Sequence, residues 1–133
     1  MAEWYSDIED KIYTIVRTRM QKTLAGYNIH YTSTNENTGP SVFPTFYLHE
    51  LTPMETGNDL ENITVNAVMD TVEIVVYDTN RSRCKTIMNE AVKQMKALAY
   101  NSTAMPIPLR SDNVYTSVAR FRRVIGADDF QNL

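Results

Sequence analysis

Residues 63–78, ITVNAVMDTVEIVVYD, form one run rich in Val, Ile and Thr, and this run predicts a single β-strand of sixteen residues. Strands in small domains usually contain about five or six residues. Unless a bulge or bend divides the run, part of this strand overhangs the sheet, as a β-hairpin arm or as an edge that spans subunits. An exposed edge invites association with other chains. In an oligomer, a neighbouring subunit could cover that edge and so prevent uncontrolled association.

Two segments with helical periodicity flank the β-rich middle of the chain. Apolar residues recur at spacings of three and four between residues 5 and 25, as in an amphipathic helix. A second apolar stripe runs over 84–98, in a helix predicted to begin near Asn80 with Asp78 or Thr79 as its cap.

The other predicted strands are shorter, and they lie at 27–35, 45–51, 101–113 and 114–126. The third of these is confined to a sheet edge, because Pro106 and Pro108 lack backbone donors. Segments 36–44 and 52–62 are predicted loops. The order of elements predicts one α+β domain spanning 1–133. Its mostly antiparallel sheet has four to five strands, with two helices packed on one face and a long β-hairpin arm.

Composition favours a soluble single domain. A chain of 133 residues buries enough surface to form a core without disulfides or a metal. The only cysteine, Cys84, excludes an internal disulfide and suits a reducing compartment. The sequence has no apolar run of the roughly 18 residues that a membrane span needs. The acidic N-terminus lacks the apolar region of a signal peptide, so we expect synthesis in the cytoplasm.

No residue pattern indicates catalysis. Cys84 lies on the apolar stripe of the second helix, which favours a buried thiol over a nucleophile. His30 and His49 lie on different predicted strands, without partners at metal-ligand spacing. The glycines are isolated at turns, so no phosphate-binding loop is present. We therefore expect no enzymatic activity, no cofactor and no metal site.

Three arginines in the last predicted strand, VYTSVARFRRVIG, raise the question of a partner. Strand alternation places Arg120 and Arg122 on one face, between two valines, and Arg123 on the opposite, apolar face. Asp70 likewise interrupts an apolar row of the long strand. The two charges therefore form a predicted pair, within the chain or across a subunit boundary, unless this end of the sheet is solvated.

A nucleic-acid-binding module is the alternative from a different class of protein. It would use Arg120 and Arg122 together with Arg81 and Arg83. The formal net charge of -3 and a pI near 5.3 argue against it. Sheets that read RNA usually expose aromatic and basic residues on the same face, which the alternation of this strand does not do.

Five segments of the chain carry a resemblance to a known family. They are the N-terminal amphipathic helix, FPTFYLHEL, NITVNAVMDTVEIVVYDT, RCKTIMNEAVKQMKALAY and VYTSVARFRRVIG. Together they resemble the tail-terminator, or tail-completion, proteins of long-tailed bacteriophages, over residues 4 to 128. The most telling pieces are Phe43-Pro44 and the ending ARFRRVIGA.

The resemblance implies a structural protein of the virion. Such proteins are small α+β domains that form a ring, usually a hexamer, on the head-proximal end of the tail tube. They end tube polymerisation and present the surface that joins the neck and head-completion proteins. Genomic DNA passes through the channel without sequence-specific binding, and no enzymatic activity or cofactor is involved. Assembly would take place in the host bacterial cytoplasm. Another neck or head-closure ring component is the nearest alternative.

A ring of identical subunits needs two complementary patches on each copy. Arg120 and Arg122 are opposite in sign to Glu55, Asp59 and Glu61 of the acidic loop, so these groups could form such a pair. Alternatively, the acidic loop faces the channel and keeps passing DNA from sticking. The full set of predicted interface residues also includes Asp70, Arg81, Arg83 and Arg123.

Overall fold

The computed structural model describes residues 7–33, 42–58, 65–102 and 106–126. These residues form two α-helices, α1 (Ile8–Thr23) and α2 (Arg81–Ala97), with a 3-10 turn at Ala25–Tyr27. They also form six β-strands: β1 (His30–Thr32), β2 (Thr45–Asn58), β3 (Val65–Asp78), β4 (Asn101–Ser102), β5 (Leu109–Ser111) and β6 (Val114–Gly126).

The strands form one sheet in the order β1-β2-β3-β6-β4, and β5 pairs with another part of β6. β1 and β2 are parallel, and every other pair is antiparallel. The predicted α+β fold with a mostly antiparallel sheet is therefore confirmed. The described part of the sheet has six strands rather than four to five. The difference arises because the predicted edge segment 101–113 contributes two short strands.

β2 and β3 form the predicted long hairpin, and each contains 14 residues. β2 continues to Asn58, so the prediction of a loop from residue 52 is wrong for residues 52–58. The register shifts between Leu51 and Met54, around Pro53, because a bulge accommodates a residue without a backbone donor. β3 does not overhang as expected, since β6 pairs with it from Ala67 to Asp78.

Both helices pack on one face of the sheet, as predicted. The core combines apolar residues of α1 and α2 with alternate residues of the three long strands, among them Ile12, Val16, Ile87, Met95, Phe46, Leu48, Val72, Ile74, Phe121 and Ile125. In the described part of the chain no helix or strand covers the opposite face. Val118 and Val124 on that face are 47% and 50% exposed.

The first turn of α2 is capped by Asn80. Its side-chain oxygen accepts a hydrogen bond from the backbone N–H of Arg83 at 3.0 Å. The sequence predicts Asp78 or Thr79 as the cap, and this prediction is wrong because Asn80 is the cap. Asp78 is the last residue of β3, where its carboxylate accepts from the N–H of Asn80 at 3.1 Å.

The last turn of α2 closes in a Schellman motif. The N–H of Tyr100 donates to the carbonyl of Met95 at 3.0 Å, and that of Ala99 donates to Lys96 at 2.9 Å. Ala99 adopts a left-handed conformation with φ of 66°, a position that favours glycine. This turn directs Tyr100, which is 1% exposed, into the core.

Candidate functional site

The sheet face that points away from both helices is the candidate site, and we call it the open face. Strand alternation and the register of the four strands β2, β3, β5 and β6 assign its residues. They include Tyr47, His49, Glu73, Val75, Leu109, Val118, Arg120, Arg122 and Val124. Arg120 and Arg122 thus share a face with two valines, as predicted.

A row of three ionisable side chains crosses the centre of the open face. His49, Glu73 and Arg120 are directly opposite one another on three adjacent strands. Nε2 of His49 lies 2.7 Å from Oε1 of Glu73, and Nε of Arg120 donates to Oε2 of Glu73 at 2.8 Å. One carboxylate therefore holds both neighbours. Sequence reasoning missed Glu73, because alternation along one strand does not reveal which strands lie beside it.

The electrostatics of this row favour an ionised Glu73. Burial raises the pKa of Glu73, but hydrogen bonds from Arg120 and His49 outweigh burial and hold the pKa below its usual range. Because an ionised carboxylate only accepts hydrogen bonds, Nε2 of His49 carries the proton in their contact. An ionised Glu73 that accepts two hydrogen bonds has no proton to donate, so it is unsuited to act as a general acid.

Apolar side chains surround this charged row. Val118 and Val124 lie along β6, and Leu109, which is 65% exposed, lies opposite Thr116 at the edge of the sheet. On β2, the ring of Tyr47 stacks on His49 with centroids 4.7 Å apart. The open face therefore combines exposed aliphatic area, an aromatic ring and arginine, a combination enriched at protein interfaces.

Arg122 is the exposed cation of this face without an ion pair among the described residues. It lies opposite Thr71 on β3 and Asn101 on β4. Its side chain forms no ion pair with the described residues, whereas Arg120, 60% exposed, is held by Glu73. Arg122 is therefore available to an external group.

Asp70 and Arg123 do not form the predicted ion pair, although they are directly opposite each other in the sheet. Asp70 accepts a hydrogen bond from the hydroxyl of Tyr100. Nη1 of Arg123 instead donates to the carbonyl of Leu98 at 2.8 Å. Leu98 and Tyr100, which follow the last residue of α2, supply both partners, and the helix end provides the guanidinium with a carbonyl that carries partial negative charge.

The environment of Asp70 is unusual for a carboxylate. The residue is fully buried, and its Oδ1 atom has no hydrogen-bond partner among the described residues. Burial raises the pKa of Asp70 to about 6, with a smaller contribution in the same direction from Glu9, while the Tyr100 hydroxyl opposes the increase. Asp70 is therefore an internal titratable group in the subunit, whereas the sequence predicts an interface residue that pairs within the chain or across a subunit boundary.

Arg83 is also structural. Its Nε and Nη2 atoms donate to the two carboxylate oxygens of Asp78, each at 2.6 Å. Asp78 is fully buried, so this bidentate pair compensates a charge that would otherwise be costly. Arg81, by contrast, is exposed at the first position of α2.

The acidic-loop residues fall mostly outside the described part of the chain. Asp59 and Glu61 lie in the undescribed segment 59–64. The backbone of Glu55 is in β2, opposite Val68, and its side chain is not among those described. Their predicted role in pairing with the arginines remains a prediction.

The cysteine, histidine and acidic side chains of the described ranges are the candidates for reactivity and for metal binding. Burial raises the pKa of the Cys84 thiol to about 11, so this cysteine is not a ready nucleophile. Among the described residues, no group of three or more His, Cys, Asp or Glu side chains could hold a metal ion. His49 contacts Glu73 on the open face. Its chain neighbour Glu50 lies on the helix side of the sheet, opposite Val72.

Comparison with known proteins leaves the chain without a family assignment. No protein-family model matches it, and no curated protein matches it. In the described ranges no helix is long and apolar enough to cross a membrane.

Proposed function

We propose that this protein is a structural subunit that assembles into a ring, the tail terminator of a long-tailed bacteriophage or of a phage-tail-like particle. The observation that supports an assembly role is the open face, where half-exposed Val118 and Val124 flank Arg120 and Arg122. Exposed apolar area rimmed by charge is typical of a surface that meets another protein.

The contacts of the arginines favour a protein partner over nucleic acid. Of the four arginines that a nucleic-acid-binding module would use, Arg83 is bound to Asp78 and Arg120 to Glu73. A carboxylate at the centre of the open face would also repel phosphate. Two exposed arginines without a described ion pair remain, Arg81 and Arg122, and they lie on different elements.

The assignment to the tail terminator depends on the resemblance of residues 4 to 128, and the α+β fold is compatible with it. In this proposal the ring is a hexamer without enzymatic activity or cofactor, and its partners are the tail tube protein and the neck or head-completion proteins. The virion DNA passes through its channel. A neck or head-closure ring protein would share the open face, so only binding to the tube separates these two functions.

The mass of the purified protein, measured by light scattering with and without preformed tail tubes, tests this proposal. We expect rings in solution, or monomers that form rings on tube ends and are visible by negative-stain imaging. Rings that ignore tubes but bind neck components would favour the neck alternative. A monomer that ignores tubes but is retained by DNA at moderate salt would contradict the proposal and favour the nucleic-acid-binding alternative.

A further inference from the structure

We infer that the open face of one copy docks on the α1 side of a second copy, where Arg122 meets the carboxylates of Asp7 and Asp10. This inference rests on the proposed ring and specifies which two surfaces of the subunit form its contact. The first surface is uncovered, partly apolar and carries an arginine with no described ion pair. The second is an exposed acidic turn on a different side of the molecule.

The topology separates these two surfaces. β6, which carries Arg122, lies beside the β4 and β5 edge of the sheet, whereas β2 lies towards the β1 edge. The start of α1 is attached to β2, because Oε2 of Glu9 accepts the backbone N–H of Glu50 at 2.9 Å. The acidic turn therefore lies towards the β1 edge of the sheet, and Arg122 lies towards the β4 and β5 edge. Two different patches on separate sides are what a head-to-tail ring requires.

Charge complementarity identifies a second copy as the occupant. The chain carries a net charge of -3, yet among the described residues its open face presents Arg120 and Arg122 against one carboxylate, that of Glu73. The remainder of the molecule is therefore more acidic than the chain as a whole. The open face of one copy and the remaining surface of another attract each other.

A symmetric contact between two open faces is disfavoured by the same charges. A two-fold axis would bring Arg120 and Arg122 of one copy towards the same arginines of its partner. Like charges at close range are costly, and the Glu73 carboxylate between them already has two partners. A heterologous contact, in which each copy contributes both surfaces, avoids this repulsion and forms a ring when the rotation between copies closes.

The acidic turn is free to take part. Asp7 and Asp10 are exposed, and neither carboxylate makes a hydrogen bond or an ion pair with the described residues. Their spacing of three places them on neighbouring positions of the helix surface. Glu9, between them, is already engaged by β2. A guanidinium from another copy can therefore reach two carboxylates without breaking an existing contact.

Charge reversal with compensation tests this contact. In Arg122→Glu and in Asp10→Arg we expect the concentration needed for assembly to rise at least ~10-fold, measured by light scattering. An equimolar mixture of the two variants should regain part of the assembly. Alternating subunits restore the unmodified contact at every second interface, and at the others they place the introduced glutamate against the introduced arginine, with only Asp7 still repelling it. The double variant should also assemble alone. Lys93→Glu, which reverses an exposed cation of α2 that is not among the predicted interface residues, is the matched control and should assemble as the unmodified protein does.

The outcomes separate this inference from the proposed function. If the unmodified protein forms rings and both variants do so equally well, the contact lies elsewhere and this inference is wrong, while the ring proposal stands. If both variants fail and their mixture does not recover, Arg122 and Asp10 do not face each other. If the unmodified protein stays monomeric with and without tail tubes, the proposed function itself fails. If Arg122→Glu loses only binding to DNA, the open face contacts nucleic acid instead. Circular dichroism would show that the variants remain folded.

Discussion

The pH dependence of stability at the residue scale is set by Asp70, a buried carboxylate whose pKa is raised from 3.8 to about 6. A raised pKa means that the folded state prefers the neutral form. The resulting stability is present below pH 3.8 and is lost as the pH rises through 6. Asp70→Asn cannot ionise and keeps an acceptor for the Tyr100 hydroxyl. We expect this variant to be more stable than the unmodified protein at pH 8, by about 3 kcal/mol at most, and similar to it at pH 4.

Urea unfolding at several pH values measures this difference. Asp112→Asn is the matched control, since it makes the same change on an exposed side chain. Parallel stability profiles for the unmodified protein and Asp70→Asn would contradict the assignment. Glu73 has a lowered pKa, so its contribution to stability depends on pH in the opposite direction. That contribution is present at neutral pH and is lost as the pH falls.

The pair between Asp78 and Arg83 carries a second prediction. Arg83→Ala leaves a fully buried carboxylate without its bidentate partner, and we expect a loss of about 3 kcal/mol in the free energy of unfolding. Arg83→Lys should recover only part of the lost free energy of unfolding, because an ammonium group cannot bind both carboxylate oxygens in the geometry of a guanidinium. Arg81→Ala changes an exposed arginine two positions away and should leave the melting temperature unchanged. Calorimetry that finds equal losses for Arg81→Ala and Arg83→Ala would refute this role.

What the sequence predicted at this scale was the face on which a side chain lies, not the group that it contacts. Alternation placed Arg120 and Arg122 on the open face and Arg123 opposite, and the structure confirms both. The suggestion that Asp70 lies near Arg123 was also right about the register. Their bonding was not predictable, because both partners come from the end of α2, whose position depends on tertiary packing.

At the scale of elements, the end of α2 gives a prediction about backbone strain. Ala99 occupies a left-handed position, and replacing it by glycine removes the steric cost of its side chain. We expect Ala99→Gly to stabilise the fold by about 0.5–1 kcal/mol. Ala97→Gly, the same change in the last residue of the helix, should be destabilising, because glycine costs about 1 kcal/mol in a helix. Chemical denaturation that shows the same sign for both variants would contradict the strain.

The sequence predicted the positions of elements whose apolar pattern is uninterrupted. It did not predict the extent of β2, which contains the turn-forming residues Pro53 and Gly57. The apolar periods located α1, α2 and β3, since their side chains face one core. β2 was predicted to end at Leu51, because Pro53 and Gly57 usually mark loops. In the structure, pairing with β3 continues past both residues, through irregularities in the register. Tertiary pairing overrides the local preference here, and one sequence without its partner strand does not reveal this.

At the scale of the whole molecule, the proposed ring contact has an ionic part and an apolar part, and salt separates them. Added salt screens exposed charges, with a Debye length of about 10 Å at 0.1 M and about 3 Å at 1 M. We expect assembly to weaken as NaCl rises from about 0.05 to 0.5 M, but not to disappear, because the exposed area of Val118 and Val124 remains to be buried.

Arg122→Gln makes this prediction specific to one contact. The change removes the charge and keeps a polar side chain, so the variant should assemble more weakly at low salt and respond less to added salt. Lys93→Gln removes an exposed charge from α2 and should keep the full salt response. Sedimentation velocity across the salt series measures both. If both variants keep the full response, the ionic part of the contact does not involve Arg122. If assembly strengthens with salt in the unmodified protein, apolar burial alone joins the subunits.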